Sequence, residues 1–90
     1  MSIIVRVPAS LSDWFDGQDE VICQGRTVNE CFEKLEDIFP GTKNRLIDKS
    51  GKLTAILVFL NGDNIRYLDG LETVVRDGDE IGIIPLAAGG

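Results

Sequence analysis

Residues Gly25 to Gly41 read GRTVNECFEKLEDIFPG, and this stretch decides the fold because it carries a complete helix signature. Thr27 followed three residues later by Glu30 is a capping box, in which a hydroxyl and a carboxylate each accept a hydrogen bond from an amide that the first helical turn leaves without a partner. Val28, Cys31, Phe32, Leu35, Ile38 and Phe39 then recur at alternating spacings of three and four, which places them on one apolar face. Pro40-Gly41 ends the run. Cys31 lies on that face and reads as a small core hydrophobe; Cys23, in the short strand before the helix, reads as structural.

Upstream, SIIVRVP alternates Ile3, Val5 and Val7 against Ile4 and Arg6, the period of a strand that Pro8 terminates. Ser12 to Gln18, with Asp13, Asp16 and Gly17, reads as a turn, and DEVICQ as a second strand closing a hairpin. Downstream, Thr42 to Lys52 is polar and loop-like, with Leu46 and Ile47 as its anchors. LTAILVFL is a third strand closed by the Asn61-Gly62 turn, NIRYL a short fourth strand or edge, and EIGIIP the last strand. Strand, strand, helix, strand, short strand, strand is an α+β order that implies a mixed sheet with one main helix across one face.

A single helix covers a single face, yet the third strand is apolar on both parities: Ile56, Val58 and Leu60 on one, Leu57 and Phe59 on the other. The second parity, with Ile4 and Ile84 from neighbouring strands, is therefore expected to form an exposed apolar patch, and such patches mark partner surfaces. The competing expectation is that the segment from Thr42 to Lys52 folds across it.

Composition narrows the function. The chain has 90 residues and a net charge of -6, with 15 acidic against 9 basic residues. That balance argues against nucleic acid, which requires a basic stripe, and suits a basic docking site on a protein. There is no histidine, so Ser-His and Cys-His catalytic pairs and histidine metal sites are excluded. No P-loop or GxGxxG pattern is present, and the DGDE turn from Asp77 lacks the spacing of a calcium loop, so no metal site is expected. The N-terminus has no long apolar stretch and the two cysteines form no CxxC pair, so a reduced cytoplasmic setting without membrane contact is expected.

The remaining puzzle is IGIIPLAAGG, Ile81 to Gly90. Two glycines after a strand add nothing to a core and are entropically the hardest residues to order. The segment FLNGDNIRYLDGLETVVRDGDEIGIIPLAAGG resembles the ubiquitin-like β-grasp sulfur carriers: the small subunit of molybdopterin synthase, the thiamine-pathway carrier and the cysteine- or methionine-pathway carriers. Asn61-Gly62, Ile65-Arg66, Gly70-Leu71, Asp77-Gly78-Asp79-Glu80, Ile84-Pro85 and Gly89-Gly90 carry the resemblance. It implies a β-grasp domain over residues 1–84 and a flexible C-terminal tail over 85–90.

It also implies a mechanism in which this chain is not itself an enzyme. A terminal carboxylate is ionised in the cell and is a poor electrophile. In the family, a partner adenylating enzyme joins it to AMP using ATP and Mg²⁺, and a sulfur donor displaces AMP to leave a thiocarboxylate. By resemblance, the Gly90 carboxylate, beside Gly89, is the site of adenylation and thiocarboxylation, and the chain binds no cofactor of its own. Leu57, Phe59 and Ile84 would dock the activating enzyme, while Pro85, Leu86, Ala87 and Ala88 would lead into its channel. The tail extends at most about 20 Å, at roughly 3.3 Å per residue. The sulfur would pass to an accepting enzyme such as a molybdopterin synthase large subunit or a cysteine synthase, destinations favoured over the thiamine pathway because the thiamine carriers lack the 42–52 segment. A ubiquitin-like modifier of lysines and a non-covalent interaction subunit are the alternatives.

Overall fold

The Thr27 half of the capping box forms as read, while the Glu30 carboxylate reaches one residue further back, to the amide before the N-cap. In the computed structural model, which describes residues 2–86, the Glu30 amide donates to Thr27 Oγ1 at 3.1 Å and the Arg26 amide to Glu30 Oε1 at 3.0 Å. Helix α1 (Val28–Ile38) starts there. Its stripe buries Val28, Cys31, Phe32 and Leu35, with Phe39 just beyond. Ile38 departs from the expectation: it lies at the rim of the stripe, so half of its surface stays in solvent.

The strands β1 (Ser2–Arg6), β2 (Glu20–Gln24), β3 (Ile56–Leu60), β4 (Asp63–Asn64) and β5 (Glu80–Pro85) form one sheet in the order β2-β1-β5-β3-β4. β1 and β2 make the expected antiparallel hairpin, β5 lies parallel to β1, and β3 is antiparallel to β5. The parallel β1–β5 pair at the centre is what makes the sheet mixed, and it needs a long crossover that α1 and the loops supply. Register fixes the faces: Ile3 opposes Cys23, Val5 opposes both Val21 and Ile81, and Val58 opposes Ile83. All of these are buried against α1. A shift of one residue in any strand would turn its apolar set to water.

Three segments differ from the sequence reading. Ala9–Phe15 is a 3-10 helix rather than a turn, and it places Leu11 and Phe15 in the core; the turn proper is Asp16-Gly17, where both φ angles are positive. Phe15 packs edge-on to Phe39 with ring centroids 5.5 Å apart. The loop-like segment contains a short helix α2 (Thr42–Leu46), held by Glu36, whose carboxylate accepts the Gly41 and Lys43 amides at 2.8 and 2.9 Å. Leu46 and Ile47 are the buried anchors, as expected. NIRYL divides: Asn64 belongs to β4, whereas Ile65–Tyr67 is 3-10 and buries Ile65.

Two turns tie the sheet together. Asn61 and Gly62 both have positive φ, the conformation of a tight hairpin turn. The Asn61 side chain accepts from the Glu80 amide and donates to Asp79. In the DGDE turn the Asp77 carboxylate accepts the Ser2 amide and Asp79 accepts the Arg76 amide, so these acids hold backbone.

Candidate functional site: an open sheet face leading to the C-terminal segment

The face of the sheet turned away from α1 carries the even-numbered residues of β1, β2 and β5 and the odd-numbered residues of β3. Ile4 opposes Ile22, Leu57 opposes Ile84, and Phe59 opposes Gly82 and Asn64. Ile56, Val58 and Leu60 are buried while Leu57 and Phe59 are only partly so, and Ile84 is 48% exposed. The expected patch is therefore open. The 42–52 segment does not cover it, because Leu46 and Ile47 join the core on the helix side. Ile22, at 51% exposure, extends the patch and was missed; its signal was the alternation of Val21 and Cys23 around it.

Charge is confined to one corner of that face. Arg6 pairs with Glu20 at 3.4 Å and with Glu80 on the adjacent strand. Between this trio and Phe59 lies a shallow hollow of about 460 Å³, lined by Arg6, Phe59, Asn61, Gly62, Glu80, Gly82 and Ile84. A second hollow of about 430 Å³ flanks the last strand on the helix side, where Trp14, with Arg45 stacked at 5.7 Å, faces Pro85 and Leu86.

Pro85 and Leu86, read as the start of the tail, are still held by the sheet. Pro85 opposes Ile56, and the Leu86 amide donates to the Ala55 carbonyl at 3.0 Å. Even-numbered residues of β5 bond to β3, so the proline, which has no N–H, stands where that ladder needs no donor. Extended chain between Leu86 and Gly90 then spans at most about 13 Å, at ~3.3 Å per residue. The expectations for Ala87, Ala88, Gly89 and Gly90 lie outside the described residues.

The cysteines take no part in this face. Both are buried, Cys31 completely, and their thiols interact. The neighbouring Cys23 thiol and then burial push the Cys31 thiol above its ordinary range. Among the described residues, no group of three or more Cys, Asp or Glu side chains is arranged to hold a metal ion. No helix among them is long and apolar enough to cross a membrane.

A small mixed sheet with one main helix, an open apolar face and a last strand running toward Gly-Gly invites comparison with known proteins, and the ThiS family profile matches residues 5–90. The chain belongs to the ThiS family. It is a ubiquitin-like sulfur carrier with the β-grasp fold. A candidate sulfur carrier protein of Archaeoglobus fulgidus is 40% identical over 91 residues, the full length of both chains. The sulfur carrier protein CysO of Mycobacterium tuberculosis is 34% identical over 93 residues, again covering both entirely. Among solved structures, a chain of the Amycolatopsis orientalis BexX/CysO complex superposes with a TM-score of 0.90 at 34% identity, covering 98% of this chain and 99% of its own. Small archaeal modifier protein 1 of Methanosarcina acetivorans gives a TM-score of 0.85 at 34% identity, covering 99% and 96%.

Proposed function

We propose that this ThiS-family carrier works through the carboxylate of Gly90, which a partner adenylating enzyme activates with ATP and Mg²⁺ and a sulfur donor converts to a thiocarboxylate. Activation makes the Gly90 carbonyl electrophilic: the sulfur nucleophile adds, AMP leaves, and the thiocarboxylate sulfur becomes the nucleophile that an accepting enzyme uses. The chain contributes a docking face and a narrow leader, while the partner contributes the catalytic groups.

The observation that carries this reading is the continuity of the open face with the last strand. Leu57 and Ile84 form a cross-strand pair on that face, and β5 runs from Ile84 through Pro85 to Leu86 toward the Gly-Gly pair. A protein seated on the patch thus has the terminus within about 13 Å of the last sheet bond. Ala87, Ala88, Gly89 and Gly90 carry almost no side-chain bulk, which fits a channel wide enough for backbone alone. Full-length likeness to CysO favours an amino-acid sulfur pathway of the cysteine type as the destination over molybdopterin synthase.

The test is carrier-dependent ATP–pyrophosphate exchange by an adenylating enzyme of the ubiquitin-activating type from the same organism. Exchange should require the intact chain and vanish when Gly89 and Gly90 are removed. Exchange that persists in the truncated chain would refute a reaction at the terminus. A modifier role is a second reading, favoured by the likeness to small archaeal modifier protein 1; a ladder of higher-mass conjugates on an immunoblot of native cells would support it.

A further inference from the structure

Gly82 occupies the middle of β5, the central strand of the sheet, with Arg6 opposite it on one side and Phe59 on the other. Glycine weakens a strand interior, since it loses the most freedom on folding and offers no side chain to pack. Three structural needs normally account for it there: a positive φ, a close approach by another atom, or a bulge. None operates here. Gly82 is not among the positive-φ glycines, a Cβ built on it meets nothing within 4 Å, and the β3–β5 register runs without interruption from Leu60↔Ile81 to Ile56↔Pro85. Gly25, by contrast, is glycine because a Cβ would strike α1.

What the missing side chain provides is the hollow on the open face. Its walls are Phe59 and Ile84, and its rim is the Arg6–Glu80 pair. Glu20 also pairs with Arg6, so two carboxylates share one guanidinium and the rim keeps a surplus negative charge. We propose that Gly82 is a specificity-determining residue: it keeps open a socket for one apolar side chain of the adenylating enzyme, set beside a basic residue that meets the Glu20–Glu80 carboxylates. This rests on the function proposed above and adds to it the contact by which that enzyme would select this carrier. The socket admits a leucine- or methionine-sized group, and a β-branched residue at position 82 fills it from within.

The test is Gly82→Val, with Gly82→Ala as the milder filler, in the full chain with its adenylating enzyme. Pyrophosphate exchange gives KM for the carrier and kcat, and urea unfolding gives stability. A filled socket should raise KM about tenfold for Val, the size of a central interface contact, and less for Ala, with kcat unchanged and the unfolding midpoint equal to wild type or higher. KM within twofold of wild type for Gly82→Val overturns the socket. If Gly82→Val folds poorly, Gly82→Ala decides, since its added methyl meets no atom of the chain, and an unchanged KM for that variant overturns the proposal equally. Wild-type chain that supports no exchange removes the proposed activation at Gly90 and the socket together; active wild type with an equally active Val variant removes the socket alone.

Discussion

Gly25→Ala tests the packing that holds α1 on the sheet. An alanine Cβ at position 25 would lie 2.8 Å from the Cys31 Sγ, 2.9 Å from the Cys31 backbone nitrogen and 3.3 Å from its Cα. The sulfur could turn only by displacing other core atoms, because Cys31 is fully buried. The nitrogen cannot turn at all, since its N–H is bonded to the Thr27 carbonyl at 3.0 Å in the first helical bond. Relief therefore requires α1 to slide away from β2. Overpacking of this kind costs about 1–3 kcal/mol, and the reduced freedom of the unfolded chain returns about 0.4–1 kcal/mol. The mid-range difference is a net loss of about 1.3 kcal/mol, which in a domain of this size lowers Tm by about 5–10 °C. Urea unfolding and calorimetry read both. Adding Cys31→Ala removes the sulfur contact and leaves the backbone contact, so the double variant should not regain wild-type stability. A Gly25→Ala protein that melts at or above the wild-type temperature would refute the reasoning.

Other predictions concern the docking face and the helix supports. Phe59→Glu places a carboxylate on the open face and should weaken binding to the adenylating enzyme at least tenfold, measured by titration calorimetry, while the protein stays folded by circular dichroism; an unfolded variant would show that Phe59 belongs to the core. Thr27→Ala removes the N-cap acceptor and should lower stability by about 1 kcal/mol, read from the urea midpoint, with Thr27→Ser restoring most of it. The Glu36 carboxyl is held below its ordinary range chiefly by the Gly41 and then the Lys43 amide that it accepts. A folded-state value below the unfolded one means that this support is complete above the unfolded pKa and lost as pH falls through the folded one. Urea midpoints should thus fall more steeply on acidification in wild type than in Glu36→Gln, and parallel curves would contradict the assignment.

The helix was legible because its signals are local: a cap, a stripe and a stop within one short stretch. Strand parity was legible for the same reason, and with it the open patch of Leu57, Phe59, Ile84 and Ile4. Ala9–Phe15 was not, since Trp14 and Phe15 sit among polar residues at no helical or strand period. Only the tertiary position of Phe39 shows why Phe15 is inside. α2 is too short to display a period, and what fixes it is the Glu36 carboxylate in a preceding helix. At the candidate site, the Arg6–Glu20–Glu80 trio depends on three strands coming together, which no linear spacing discloses. Likewise Gly25 and Gly82 carry the same letter, yet one is packed against α1 and the other lines a hollow on the open face. Leu86 shows the converse: a proline and a run of small residues read as free chain, whereas the ladder with β3 continues to its amide.

The central claim is tested most directly by the intact mass of the purified protein after incubation with its adenylating enzyme, ATP, Mg²⁺ and a sulfide source. The expected result is a gain equal to one oxygen replaced by sulfur, located at Gly90 by fragmentation and absent from the chain lacking Gly89 and Gly90. An unchanged mass, with an enzyme that demonstrably forms the adenylate on this carrier, would contradict it.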